Sequence, residues 1–186
     1  MKEQYATKRL LLIPANKSLT EAVTDYYVRN RTFFQAYDPV CEEEFFTHRY
    51  QRVRLDLDEQ NAMQAQGYRF YLVKKEQPQQ VMGMVALNGI VWGSFCSCFL
   101  GYKLDKDHLR QGLMSEAVQE CVRIAFEELG LHRIEANIMP RNLPSLGVAE
   151  KCGFVREGIS RKYLKINGVW EDHIHMVKLN EEEYHA

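Results

Sequence analysis

Apolar and polar positions alternate with a period that changes several times along the chain, and each change marks an element. Residues 7–13 (Thr-Lys-Arg-Leu-Leu-Leu-Ile) predict a first strand ended by Pro14, and Ser18 is placed to cap a helix running to about Asn30. Past the turn at Asp38-Pro39, a polar stretch rich in Gln and Arg over residues 47–66 has helical composition and stops at Gly67. Three strand signals follow, at residues 68–74, 82–90 and 95–104, separated by Gln77-Pro78-Gln79-Gln80 and by Trp92-Gly93-Ser94. They predict an antiparallel meander. From Gly112 the period lengthens: Met114, Ala117, Val118, Cys121, Ala125 and Leu129 recur every three or four residues until Gly130, the pattern of an amphipathic helix. Residues 134–139 predict a strand and 144–151 a short helix closed by Gly153. Residues 154–164 and 169–177 predict a final hairpin around Asn167-Gly168.

The resulting order, β-α-α-β-β-β-α-β-α-β-β without linkers or low-complexity tracts, predicts one mixed-sheet α/β domain over residues 1–186. A chain of this length buries a sizeable core in a single unit. No run approaches the ~20 apolar residues of a membrane span, so no membrane partner is expected. Met1-Lys2-Glu3-Gln4 leads into alternating rather than continuous apolar residues, unlike a secretory signal, and a cytoplasmic location is expected. Cys41, Cys96, Cys98, Cys121 and Cys152 are an odd set without metal-finger spacing, which suits reduced thiols. The formal net charge of −1 gives no basic field of the kind that holds nucleic acid, so no direct nucleic-acid contact is expected. Glu42, Glu43 and Glu44 form an acidic run suited either to a solvated loop or to attracting a basic peptide.

The stretch that carries chemistry is residues 104–117, where a strand passes through Asp105-Lys106-Asp107-His108 into Leu109-Arg110-Gln111-Gly112-Leu113-Met114-Ser115-Glu116-Ala117. The first amides of a helix lack internal partners and sit at its positive end, so they can receive phosphate oxygens. Gly112 lets the backbone approach closely. The three spaced glycines of a dinucleotide fingerprint and the Gly-Lys-Ser/Thr of a P-loop are both missing, which sets those cofactors aside.

Gly112-Leu113-Met114-Ser115-Glu116-Ala117, Asn142-Leu143-Pro144-Ser145 and Glu150-Lys151-Cys152-Gly153-Phe154-Val155-Arg156-Glu157-Gly158 together resemble the GNAT acetyltransferase superfamily, in order and spacing its ribosomal-protein branch. Gly93-Ser94-Phe95, Leu100-Gly101-Tyr102, His132-Arg133-Ile134, Ala136-Asn137, Met139-Pro140 and Tyr163-Leu164 extend the similarity over nearly the whole chain. The resemblance implies an α/β (α+β) GNAT fold: a mixed, mostly antiparallel seven-stranded sheet, helices on both faces, and strands four and five splayed apart to admit acetyl-CoA as co-substrate. It further implies that backbone at Tyr102, Lys103 and Leu104 pairs with the pantetheine arm. Amides of Arg110, Gln111, Gly112, Leu113, Met114 and Ser115 hold the pyrophosphate, Asn142 contacts the pantetheine or acetyl region, and Ser145 lies near the sulfur. The implied acceptor is the N-terminal alanine of a small-subunit ribosomal protein, with the assembling subunit as a further partner. The turn departs from the family pattern: Leu109 and Met114 stand where Gln or Arg, and Gly or Ala, are common, and Arg110 where close relatives often carry Gly.

On chemical grounds, a peptide amine of pKa near ~8 needs little activation, which favours direct attack on the thioester over a covalent enzyme intermediate. Ser145 is the candidate donor to the departing thiolate, with capping of its own helix as the structural alternative. Tyr163 is a candidate acid, and Glu43, Glu44 and Asp172 are candidate bases. A glutamate used by a related branch is matched here by Leu164. His173 and His175 share a strand face but lack a third ligand, so a structural role is favoured over a metal, and none is expected. Cys96 and Cys98 read as small core residues. Among Tyr26, Tyr27, Phe33, Phe34, Tyr37, Phe45 and Phe46, most belong to the core and a few to a peptide groove. Two competing functions stay open: acetylation of a small amine, such as a polyamine or an antibiotic, and a non-catalytic binding module in ribosome assembly.

Overall fold

The computed structural model describes residues 2–181. Its strands are β1 (Tyr5–Ala6), β2 (Leu10–Pro14), β3 (Tyr68–Lys74), β4 (Gln77–Val91), β5 (Ser97–Leu104), β6 (Arg133–Ile138), β7 (Val155–Ile166) and β8 (Val169–Leu179). The helices are α1 (Thr20–Phe34), α2 (His48–Met63), α3 (Leu113–Arg123) and α4 (Leu143–Lys151). One sheet runs in the order β1-β2-β3-β4-β5-β6-β8-β7, antiparallel except where β5 meets β6. Seven of these strands match the expected set. The eighth, β1, has only two residues and is too short to show a period.

Period-2 alternation sends the sheet's side chains to two cores. On one face Leu10, Leu12, Phe70, Leu72, Leu87, Leu100, Ile134, Ile174 and Met176 pack with Leu113, Ala117, Val118 and Cys121 of α3 and Ala149 of α4. On the other, Tyr71, Val73, Met84 and Ala86 pack with Val23, Tyr26 and Tyr27 of α1 and Leu55 of α2. Helices α1 and α2 thus cover β2 to β4, while α3 and α4 cover the opposite face.

Local chemistry corrects several sequence boundaries. Thr7 N donates to Leu10 O at 3.0 Å, so residues 7–9 turn the chain rather than begin the strand. The first cap is Asn16, whose Oδ1 accepts from Ser18 N at 3.0 Å, so Ser18 is the capped residue and not the cap. Thr47 caps α2 by accepting from Tyr50 N. The apolar stripe from Met114 to Leu129 holds, but α3 gives way at Ile124 to a π-helical turn, Ile124–Glu128, in which Leu129 N reaches back to Ile124 O. At the last hairpin Asn167 and Gly168 adopt φ 50° and 84°, the left-handed pair of a type I′ turn.

Candidate active site

The site begins where the sheet comes apart. Strands β5 and β6 pair only at Ser97↔Arg133, Cys98↔Ile134 and Phe99↔Glu135. From Leu100 onward β5 stays zipped to β4, as far as Leu104 opposite Gly83, while β6 stays zipped to β8, as far as Ile138 opposite Ile174. The strands diverge because each keeps its other neighbour, and the edge of β5 from Leu100 to Leu104 faces a cleft of about 840 Å³.

Tyr102, Lys103, Leu104, Arg110, Gly112, Leu113, Met114, Ser115, Asn142 and Ser145 all line this cleft. Gln111 does not. It is exposed, and its carbonyl accepts from Arg9 Nη1 at 2.9 Å. Tyr163 also stands outside the wall, one layer behind it: Asn137 Nδ2, in the wall, donates to its hydroxyl at 3.2 Å.

At the junction between β5 and α3 the backbone is shaped for an anion. Arg110 and Gly112 have φ of 58° and 73°, and Gly112 is the residue before the first turn of α3. The first helical bond runs from Glu116 N to Gly112 O, and the amides from Arg110 to Ser115 have no hydrogen-bond partner among the described residues. Arg110 supplies a left-handed conformation that glycine would adopt more cheaply. Two further cations gather here: a Cβ on Gly112 would lie 3.7 Å from Arg9 Nη2 and 3.8 Å from Lys151 Nζ. Arg9 is aimed by Glu116, which accepts from its amide and from Nε at 2.7 Å each and from Thr7 Oγ1. Burial opposes ionisation of Glu116, but these bonds outweigh it and hold its carboxyl below the usual range. Arg9, Lys151 and Gly112 are far apart in sequence, and no local pattern joins them.

The same junction is anchored from below by Asp105, whose side chain is 1% exposed. It accepts from Asp107 N at 3.0 Å, Asn30 Nδ2 at 2.9 Å and Arg29 Nε at 2.6 Å, and Arg29 also donates to Val81 O. Desolvation works against its charge, yet these donors lower its pKa.

Across the slot, Asn142 caps α4 by accepting from Ser145 N at 3.3 Å. The capping alternative for Ser145 therefore falls to Asn142, and Ser145, which lines the cleft, has no hydrogen-bond partner for its Oγ among the described residues. Tyr102 OH donates to Ser145 O at 2.7 Å, and burial pushes the phenol up to about 12.

The far end is lined by Phe33, Phe34, Tyr37, Asp38, Leu164, Ile166 and His173. The loop after α1 is held there at two points: Asn167 Nδ2 donates to Gln35 O at 2.7 Å and Arg141 Nη1 to Ala36 O at 3.0 Å. Asp38 is paired with Lys103. None of the expected bases reaches the cleft. Glu43 is exposed and bound to Arg31, Glu44 is exposed, and Asp172 accepts from Lys162 N at 2.8 Å. The two histidines of β8 sit in different surroundings. His175 holds Glu135 through Nδ1 at 2.7 Å and Ser160 through Nε2 at 2.6 Å, so both its nitrogens are engaged. His173 instead forms part of the cleft wall. Among the described residues, no three His, Cys, Asp or Glu side chains converge as a metal site, and no helix is long and apolar enough to cross a membrane.

Residues 9–155 match the family described as acetyltransferase (GNAT) domain. The protein named "Probable N-acetyltransferase YjcK" of Bacillus subtilis is 42% identical over 83% of this chain and 84% of its own. The [Ribosomal protein uS5]-alanine N-acetyltransferase of Escherichia coli is 31% identical over 93% of this chain and 89% of its own. Among solved structures, the ribosomal-protein-S5-alanine acetyltransferase of Vibrio fischeri superposes with a TM-score of 0.92 at 31% identity, covering 96% of this chain and 97% of that one. RimJ of Mycobacterium smegmatis, in complex with CoA-disulfide, gives 0.89 at 20% identity over 96% of this chain and 88% of that one, a likeness of fold.

Proposed function

The chain belongs to the GNAT acetyltransferase family, and on that footing we propose that it moves the acetyl group of acetyl-CoA to the N-terminal alanine amine of a small-subunit ribosomal protein. The observation that carries the reading is the coincidence, in one cleft, of five amides, those of Arg110 and Gly112 to Ser115, unpartnered among the described residues, with an unpaired strand edge. The amides from Arg110 to Ser115 suit a diphosphate, and Arg110, Lys151 and Arg9 add positive charge around them. The edge at Tyr102 to Leu104 suits the amide-bearing pantetheine arm, which binds as an added strand does. Together they direct the thioester toward the gap beyond Leu100, next to Ser145.

There the acceptor nitrogen bonds to the thioester carbon and the carbon–sulfur bond breaks. Ser145 Oγ, without a hydrogen-bond partner among the described residues, donates to the departing sulfur. Tyr163 acts through Asn137 in the wall rather than by touching the substrate. The aromatic end formed by Phe33, Phe34 and Tyr37 receives the acceptor, and an extended N-terminus suits a mouth roofed by the loop bound to Asn167 and Arg141. Two relatives that carry the S5-alanine activity in their names support the choice of acceptor. An acceptor of that kind places the reaction in the cytoplasm, on the free protein or the assembling subunit.

The test is a mass gain of one acetyl group when acetyl-CoA is incubated with a short peptide beginning in alanine. The same assay with polyamines runs alongside. Turnover of the peptide alone supports the reading. Turnover of the polyamine alone replaces it with small-amine acetylation.

A further inference from the structure

Taking the acetyl-transfer reading as its basis, we infer that His173 is the general base, receiving on Nε2 the proton that the acceptor amine loses. His173 is 3% exposed and lies in the cleft wall at the acceptor end, with Leu164 and Ile166. On β8 its neighbour Ile174 turns into the core shared with α3 and α4, so His173 points to the opposite face of the sheet. Ser145 reaches the cleft from α4. The two groups therefore flank the slot from its two faces, base on the side of the incoming nitrogen and donor on the side of the leaving sulfur.

Its hydrogen bonding fixes the tautomer that this role needs. Nδ1 lies 3.1 Å from the Glu171 carbonyl, which can only accept, so Nδ1 carries the hydrogen. Nε2 is left as a lone pair with no hydrogen-bond partner among the described residues. The Tyr163 ring packs at 5.4 Å and holds the imidazole in place.

The other ionisable groups of the region are committed elsewhere. Asp38 is paired with Lys103, Glu171 with Arg141, and Glu135 with Arg133 and His175. Asp172 accepts from Lys162 N, and Tyr102 is held protonated by burial. In the step itself the nitrogen–carbon bond forms as the N–H proton passes to Nε2 and on to solvent. The electron pair of the carbon–sulfur bond leaves on sulfur, which takes a proton to become the CoA thiol.

His173→Asn separates the two nitrogens, because its side-chain amide replaces the Nδ1 donor to Glu171 O while nothing replaces Nε2. With alanine peptide and acetyl-CoA, kcat is expected to fall about 100-fold. KM for acetyl-CoA and the melting temperature stay unchanged. As a second arm, imidazole added to His173→Ala restores at least part of the lost rate. A His173→Asn enzyme with wild-type kcat overturns the assignment, and so does a folded, inactive His173→Ala enzyme that imidazole does not rescue. Wild-type protein that acetylates neither peptide nor polyamine overturns the underlying reading instead, so the two failures are told apart by the wild-type control.

Discussion

The Tyr102 hydroxyl donates to the backbone carbonyl of Ser145 at 2.7 Å, tying the free half of β5 to the first turn of α4 across the open part of the sheet. Among the described residues it is the one direct side-chain hydrogen bond between the strand proposed to hold the pantetheine and the residue proposed to lie at the sulfur. Tyr102→Phe keeps the ring and removes the bond, so unfolding free energy should drop by about 1 kcal/mol. The first turn of α4 then loses its register to β5, and kcat should fall several-fold while KM for acetyl-CoA moves little. Steady-state kinetics with chemical denaturation checks both.

Ser145→Ala makes the complementary prediction. Its hydroxyl has no hydrogen-bond partner among the described residues and Asn142 does the capping, so the melting temperature should not move. Loss of a donor to the leaving sulfur should lower kcat by about 10-fold or more. An unchanged kcat removes Ser145 from the mechanism.

At Gly112 the space for a methyl group is ordinary, since the nearest atoms are the ends of Arg9 and Lys151, at 3.7 and 3.8 Å. The cost of Gly112→Ala is conformational: φ is 73°, and a residue with a Cβ pays about 1–2 kcal/mol to hold it. The methyl also projects among the amides and cations that face the cleft. Calorimetry should show weaker binding of coenzyme A, by about 10-fold, beside the fall in stability.

Asp105 gives the protein an acid limit. Its folded-state pKa lies below the ordinary carboxylate value because Asp107 N, Asn30 and Arg29 outweigh the penalty of burial. The stabilisation is complete above the unfolded value of about 4 and is lost as pH falls through the lower, folded value. Asp105→Asn keeps the shape but leaves Arg29 without its counter-charge. It should cost about 3 kcal/mol near neutral pH and flatten this part of the acid unfolding curve, followed by circular dichroism.

Elements with a strong period were legible in the sequence, and so was the junction between β5 and α3, because a strand, a glycine and an amphipathic helix are contiguous there. The strand edge from Leu100 to Leu104 and the slot beside it followed from family resemblance alone, since register between β5 and β6 has no local signature. Ser18 was misread as a cap because Ser and Asn are equally suited to that place, and only geometry shows Asn16 accepting the bond. Arg9 and Lys151 meet at Gly112 from opposite ends of the chain, which no spacing rule anticipates. His173 looked like half of a failed metal pair. Which of its ring nitrogens lies against the Glu171 carbonyl is visible only in three dimensions.

Among the described residues three strand-paired positions join the two parts of the sheet, β1 to β5 on one side and β6, β8 and β7 on the other; helix packing and a few side-chain hydrogen bonds, such as that of Tyr102 to Ser145, add to the connection. A linear ligand lying along Tyr102 to Leu104 acts as the missing rung between these halves. Its binding should therefore stiffen the molecule as well as prime it, with amide exchange slowing in β5 and β6 together, far from the diphosphate.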